Sequence, residues 1–279
     1  MTRVLGEDAG ALARAGADTA ALAALEATVA GTLPGGAAGA IDAHVHLGRD
    51  RDGHRLEPDD LVADLDRWGI AAAVCFPPDD PGPDGQFQAA NALVLAAARR
   101  FPGRIVPFCR VDPSRPGAGR AMARAASGGA RGLKLHPVAQ RFRPEDPGPV
   151  AAVAEAAARG WPVTIHAGLG ARPLAGPLEE VLARVPDARL ILAHAGRGDA
   201  RAVAARLAGR PGVLLDTSLA ALPDLVARPP GALCFGSDRP YGEHATAMQA
   251  VGLAARVAGW GGEDLAGVMG GTLRRWLGA

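Results

Sequence analysis

Five of the chain's seven histidines, His44, His46, His136, His166 and His194, close short apolar runs, and so do Asp238 and the single lysine, Lys134. A buried imidazole needs a partner for each polar ring nitrogen, so five of them make poor core filling. A divalent metal ion would partner several at once. Neutral imidazole and carboxylate suit Zn²⁺, Mn²⁺ or Fe²⁺, and a cysteine-free set with open positions belongs to catalytic rather than structural sites. Side chains two apart on a strand point the same way. His44 with His46, and Lys134 with His136, are therefore co-facial pairs, with Val45 and Leu135 turned to the opposite side. Lys134 stands among 30 basic residues that are otherwise arginine. Where positive charge alone is wanted, arginine serves, so a retained lysine points to amine chemistry.

Those residues need elements to hold them. Eight apolar runs bounded by Gly, Pro or Asp read as strands: 40–47, 70–76, 104–111, 130–136, 162–167, 189–195, 212–218 and 232–238. Ala/Leu/Arg-rich amphipathic stretches fill the gaps. In PDDLVADLDRWG, Asp59 or Asp60 is expected to cap a helix, Leu61, Leu65 and Trp68 share a face, and Gly69 stops it. Eight strand–helix units predict an eight-stranded parallel β/α (TIM) barrel over residues 40–279, with an open doubly wound sheet as the alternative. An extra N-terminal helical segment, residues 1–39, is expected to pack on the barrel. In such a barrel, chemistry gathers at the C-terminal strand ends, where the singled-out residues fall.

Composition narrows the partners. With 279 residues, 48% hydrophobic and 21% charged, one large domain with a full core is expected. A net charge of +1 offers no general attraction to nucleic acid or anionic membrane. Charged residues interrupt the Ala-rich start, so neither a signal nor a membrane span is expected there, and the reading is cytoplasmic. Cys75, Cys109 and Cys234 show no CxxC spacing and read as buried small hydrophobes. The expected partner is a small-molecule substrate; a homodimer is the one assembly entertained.

DAHVHLG, GLKLHP, TIHAG, LAHAG and FGSDRPY, in this order, resemble the signature of the amidohydrolase superfamily, in particular its amidohydrolase-2 branch, from residue 40 to about 277. The resemblance implies His44, His46, His166 and Asp238 as ligands of one divalent metal ion, zinc foremost, with manganese or iron as alternatives. It implies Asp238 as proton acceptor and His194 as a residue that polarises or orients substrate. Lys134 has three readings: a carboxylated bridge to a second metal, contact with substrate or acid–base work, and structural pairing. His136 would either touch substrate or hold a neighbour in place, and Arg110, like Arg49, could grip an anionic substrate.

A metal so held would lower the pKa of a bound water toward ~7 and supply hydroxide at neutral pH. The implied activity is hydrolysis of a small-molecule amide, lactone or ester. The branch also contains decarboxylases of unsaturated or aromatic acids, the main alternative, and a non-catalytic metal-binding scaffold is a lesser one. His54 and His244 read as solvated loop residues. Arg239 is expected to face outward and pair structurally.

Overall fold

The computed structural model describes residues 39–168, 170 and 173–278. The helical segment expected over residues 1–39 lies outside the described residues except for Gly39. The strands are β1 (Ala40–His46), the short pair β2 (Gly48–Arg49) and β3 (Arg55–Leu56), β4 (Ile70–Phe76), β5 (Ile105–Pro107), β6 (Cys109–Arg110), β7 (Leu133–Leu135), β8 (Pro162–Ile165), β9 (Arg189–Leu192), β10 (Val213–Asp216) and β11 (Leu233–Cys234).

Parallel ladders join β1 to β4 and β4 to β5, and run unbroken from β6 through β11. Only Phe108 separates β5 from β6. Its N–H donates to Cys75 O at 2.8 Å, while the next N–H, of Cys109, donates to Gly132 O at 2.9 Å. One kinked strand thus links the two sheets. The chain running on from β11 returns to β1: Ala43 N donates to Phe235 O (2.8 Å), Asp238 N to His44 O (2.8 Å) and His46 N to Arg239 O (2.7 Å), with a parallel bridge between Val45 and Arg239. Eight wall positions and this seam make the barrel.

Helices alternate with the strands: α1 (Pro58–Trp68), α2 (Gln88–Arg100), α3 (Ala118–Ser127), α4 (Pro147–Ala158), α5 (Ala175–Arg184), α6 (Ala200–Arg206), α7 (Leu222–Val226), α8 (His244–Ala258), α9 (Gly262–Ala266) and α10 (Thr272–Leu277). Gly69 ends α1 in the left-handed conformation, φ 68°, as expected. The expected aspartate cap is absent. Glu57 occupies the N-cap without a side-chain bond, because Pro58 sets the first helical position and leaves Asp59 and Asp60 inside the first turn. There they still favour the positive end of the helix.

Strand alternation splits the core into two shells. Leu133, Leu135, Val163, Ile165, Leu190, Leu192, Val213 and Leu215 pack outward under the helices. Ile41, Ala43, Ala72, Val74, Phe76, Phe108, Ile191, Leu214 and Cys234 fill the barrel, and Leu273 and Leu277 of α10 plug its N-terminal end. All three cysteines are buried and unpaired by disulfide.

One irregularity decides what enters the barrel. Asp42 pairs with Ala73 and Val45 with Cys75, so three steps along β1 match two along β4. This β-bulge adds a residue at Ala43–His44 and shifts the alternation. Asp42 leaves the interior, while His44 and His46 both point into it.

Candidate metal centre

The strand-end polar residues converge above Phe76, whose ring is met edge-on by His44 (5.0 Å between centroids) and His46 (4.8 Å). The Lys134 ammonium lies 4.4 Å from the same ring centroid. His44 Nε2 and His46 Nε2 are 3.2 Å apart, and Asp238 Oδ1 lies 3.1 Å from the first and 3.3 Å from the second. The ligand atoms of His44, His194 and Asp238 also fall within 4.8 Å of one another. His166 Nδ1 is 3.3 Å from His194 Nε2, and His136 stacks on His166 at 3.9 Å with planes 12° apart.

Asp216 sets the tautomer of His44. Its Oδ2 accepts the Nδ1–H of His44 at 2.8 Å, which leaves the His44 Nε2 lone pair facing Asp238 and His46. Its Oδ1 accepts from His194 N (3.1 Å), Ser218 N (3.0 Å) and the Ser218 hydroxyl. The strand-end rule that selected the histidines also covers Asp216, at the C-terminal end of β10, but the sequence reading passed over it and Ser218.

His194 does not stand on a strand. β9 ends at Leu192, and His194 (φ 58°), Ala195 (φ 51°) and Gly196 (φ 68°) form a left-handed turn. Asp216 holds this turn through the His194 N–H. The Nδ1 of His194 faces Ser218 O at 3.1 Å, so its proton sits there and the Nε2 lone pair turns toward His166. Asp238 is left-handed as well, φ 63°. Both residues therefore aim their side chains from turns beyond the strand ends.

Charge and burial tune these groups. Burial pulls His46 down to about 3, keeping it neutral. For His44, burial and Lys134 lower the pKa, but the Asp216 and Asp238 carboxylates outweigh them and leave it raised. Burial brings Lys134 down to about 7, with its Nζ 3.2 Å from His44 Nε2. Burial also lowers His136, with the His166 ring adding to the effect. Despite burial, His44 holds Asp216 and Asp238 below the ordinary carboxylate range.

The donor set fits a metal ion. Asp238 Oδ1 and His46 Nδ1 are buried without a hydrogen-bond partner. Three lone-pair-bearing atoms, His44 Nε2, His46 Nε2 and Asp238 Oδ1, face one another at contact distance. Such a cluster repels itself unless a cation or a proton sits within it.

The remaining singled-out residues have definite places. Arg110 is fully buried; its guanidinium bonds Asp79 (2.9 Å) and lies 4.5 Å from the Phe87 ring centroid, and burial lowers it to about 10. Arg49 is exposed. Arg239 pairs with Asp64 (2.6 Å) and Glu243 (2.8 Å), the structural role expected. His54 is exposed, its ring 4.9 Å from Tyr241. The solvated reading of His244 is corrected: it is buried at the start of α8 and its Nε2 donates to Asp42 Oδ2 at 3.0 Å. The bulge that turned Asp42 outward created this pair. Asp42 also accepts from His44 N (2.9 Å) and Ser237 N (3.0 Å), tying the end of β1 that carries His44 and His46 to the stretch after β11 that carries Asp238.

The fold is shared with solved structures of low identity. The chain is 19% identical to an amidohydrolase from Burkholderia multivorans solved with bound zinc, with 86% of this chain and 99% of that one covered at a TM-score of 0.69. For 5-carboxyvanillate decarboxylase from Sphingomonas paucimobilis the values are 15%, 86%, 99% and 0.67. For a probable 2-pyrone-4,6-dicarboxylic acid hydrolase from Acinetobacter baumannii with citric acid bound they are 15%, 86%, 99% and 0.62. No curated protein matches the sequence. Among the described residues, no helix is long and apolar enough to cross a membrane. The Amidohydrolase family model matches residues 41–279, and the chain belongs to that amidohydrolase-2 family.

Proposed function

We propose that this protein is a metal-dependent hydrolase of a small-molecule amide, lactone or ester. The carrying observation is the buried Asp238 Oδ1, which has no hydrogen bond and lies 3.1 and 3.3 Å from two imidazole nitrogens. That carboxylate is ionised and placed to take a proton. In this reading His44, His46, His166 and Asp238 hold one divalent ion, zinc foremost. Bound there, the ion supplies Lewis acidity and an acidified water.

The protein's own groups do the rest. Asp238 accepts the proton of the attacking water and returns it to the leaving group. His194, fixed through Ser218 and Asp216, turns its Nε2 lone pair to the site and orients the substrate by accepting a hydrogen bond from a substrate N–H or O–H. Lys134 lines the same mouth beside the neutral His136, and with Arg110 enclosed next to it gives the mouth a positive side suited to a substrate bearing a carboxylate.

That positive side also favours a second reading. Lys134 is a fully buried amine whose charged form an entering carboxylate would favour, and Arg110, also fully buried and already paired with Asp79, stands beside it. A decarboxylase of an unsaturated or aromatic acid would use them to grip the departing carboxylate. Release of carbon dioxide from a carboxylic-acid panel, without turnover of esters, amides or lactones, selects this reading over hydrolysis.

The first test is metal content by elemental analysis on protein purified without chelator. About one equivalent, lost in His166→Ala and kept in Lys134→Ala and His194→Ala, supports the assignment. Loss in His194→Ala with retention in His166→Ala exchanges those two roles. Two equivalents falling to one in Lys134→Ala indicate a carboxylated lysine bridging a binuclear site, and no metal under replete conditions removes the mechanism.

A further inference from the structure

The opposite end of the barrel carries a second concentration of chemistry, unconnected with the histidine cluster. A hollow of about 350 Å³ opens there, where the chain enters β7, β8 and β9 and where α10 ends. Its walls are Arg131, Arg159, Arg189, Arg275, Trp161 and Trp276, completed by glycine, proline and leucine. A volume of this size holds a small molecule.

The donors outnumber their acceptors. Four guanidinium groups carry about twenty N–H donors. Arg131 bonds Leu277 O, Arg189 bonds Trp276 O (2.6 Å), Arg275 bonds the Thr272 hydroxyl (3.2 Å), and Arg159 places two N–H groups on Glu155. The charges are equally unbalanced. Glu155 offsets one positive charge, and the carbonyl end of α10 offsets at most about half of another. Among the described residues, about two and a half positive charges remain around one small hollow, and burial lowers the pKa of Arg189.

We propose that this hollow binds a small phosphorylated anion. A phosphate monoester carries about −1.5 to −2 charges at pH 7 and three acceptor oxygens, which matches both imbalances. Planar guanidinium forks recognise phosphate in a bidentate way. Arg131 and Arg189 are already held by backbone carbonyls, so less freedom is lost when the anion arrives. The Arg159 guanidinium lies 5.5 Å from the Trp161 ring centroid, and the two indoles give an organic substituent an apolar wall. The site lies at the N-terminal strand ends, whereas the catalytic mouth lies at the C-terminal ends, so its ligand does not compete with substrate.

The test uses the full chain and its tryptophan fluorescence, titrated with inorganic phosphate and, separately, with adenosine monophosphate, chloride holding ionic strength constant. A saturable change with a Kd below about 1 mM is expected, weakened at least tenfold in Arg159→Gln and in Arg275→Gln. These two are chosen because Arg131 and Arg189 also anchor α10. Unliganded melting temperatures near that of the parent show that the variants fold. Tighter binding of the nucleotide identifies an organic phosphate, and equal binding identifies the phosphate group alone; either supports the site. Absence of saturation, an equal response to chloride, or undiminished binding in the Arg159→Gln/Arg275→Gln double variant overturns the proposal.

Discussion

Replacing Asp216 by asparagine separates the positioning of the candidate metal ligands from the barrel itself. The asparagine oxygen can still accept from His194 N and Ser218 N, now 3.1 and 3.0 Å from Oδ1, so the left-handed turn at His194 should survive. Its NH₂ then replaces the oxygen 2.8 Å from His44 Nδ1. Two donors cannot face each other, so the His44 proton moves to Nε2, the nitrogen directed at Asp238 and His46. Losing such a carboxylate behind a ligating histidine costs about 10–100-fold in metal affinity, about 1.4–2.8 kcal/mol. At about 2–4 °C per kcal/mol for a chain of this size, the rise in melting temperature on metal loading should shrink by about 3–11 °C. Competition with a chelator measures the affinity and calorimetry measures the melting shift. An Asp216→Asn variant that folds and binds metal within twofold of the parent would refute the assigned role of Asp216.

Three further outcomes are expected. Burial raises the Asp50 carboxyl, but the Tyr241 hydroxyl, donating at 2.5 Å, and the N–H groups of His54 and Asp52 outweigh it and hold the carboxyl low. A depressed carboxylate stabilises the fold above its unfolded pKa of about 3.9 and loses that contribution as pH falls through the folded value. Tyr241→Phe should therefore cost about 1 kcal/mol at pH 7 and less at pH 3 in urea unfolding; an equal loss at both contradicts it. Lys134, at about 7 when folded, binds fewer protons than the unfolded chain between that pH and its ordinary 10.5, so metal-free stability should rise with pH across this window. Lys134→Met should flatten the rise in melting temperature between pH 7 and 9, and a slope unchanged by the substitution argues against a buried, neutralising amine. A Cβ at Gly168 would stand 2.6 Å from His194 Cδ2 and 3.0 Å from His166 Cε1; Gly168→Ala should spread the two rings and lower metal content, with a cost of about 1–3 kcal/mol.

Sequence alone settled the alternation of eight strands with helices and the main cluster residues, because strand periodicity and a polar side chain at a strand's end are local signals. His44, His46, Lys134, His136, His166, His194 and Asp238 do gather at one mouth. Local periodicity could not show the bulge in β1, since that extra residue exists only as a mismatch with β4. The bulge turns Asp42 out of the barrel to meet His244, 202 positions away in the chain, a pairing with no local trace. The left-handed turn at His194 is likewise tertiary: Asp216, from the neighbouring strand, accepts the His194 N–H and with it fixes the direction of that ring. The sequence determined which groups arrive at the mouth, and the packing of non-adjacent strands decided their tautomers, their facing and their partners.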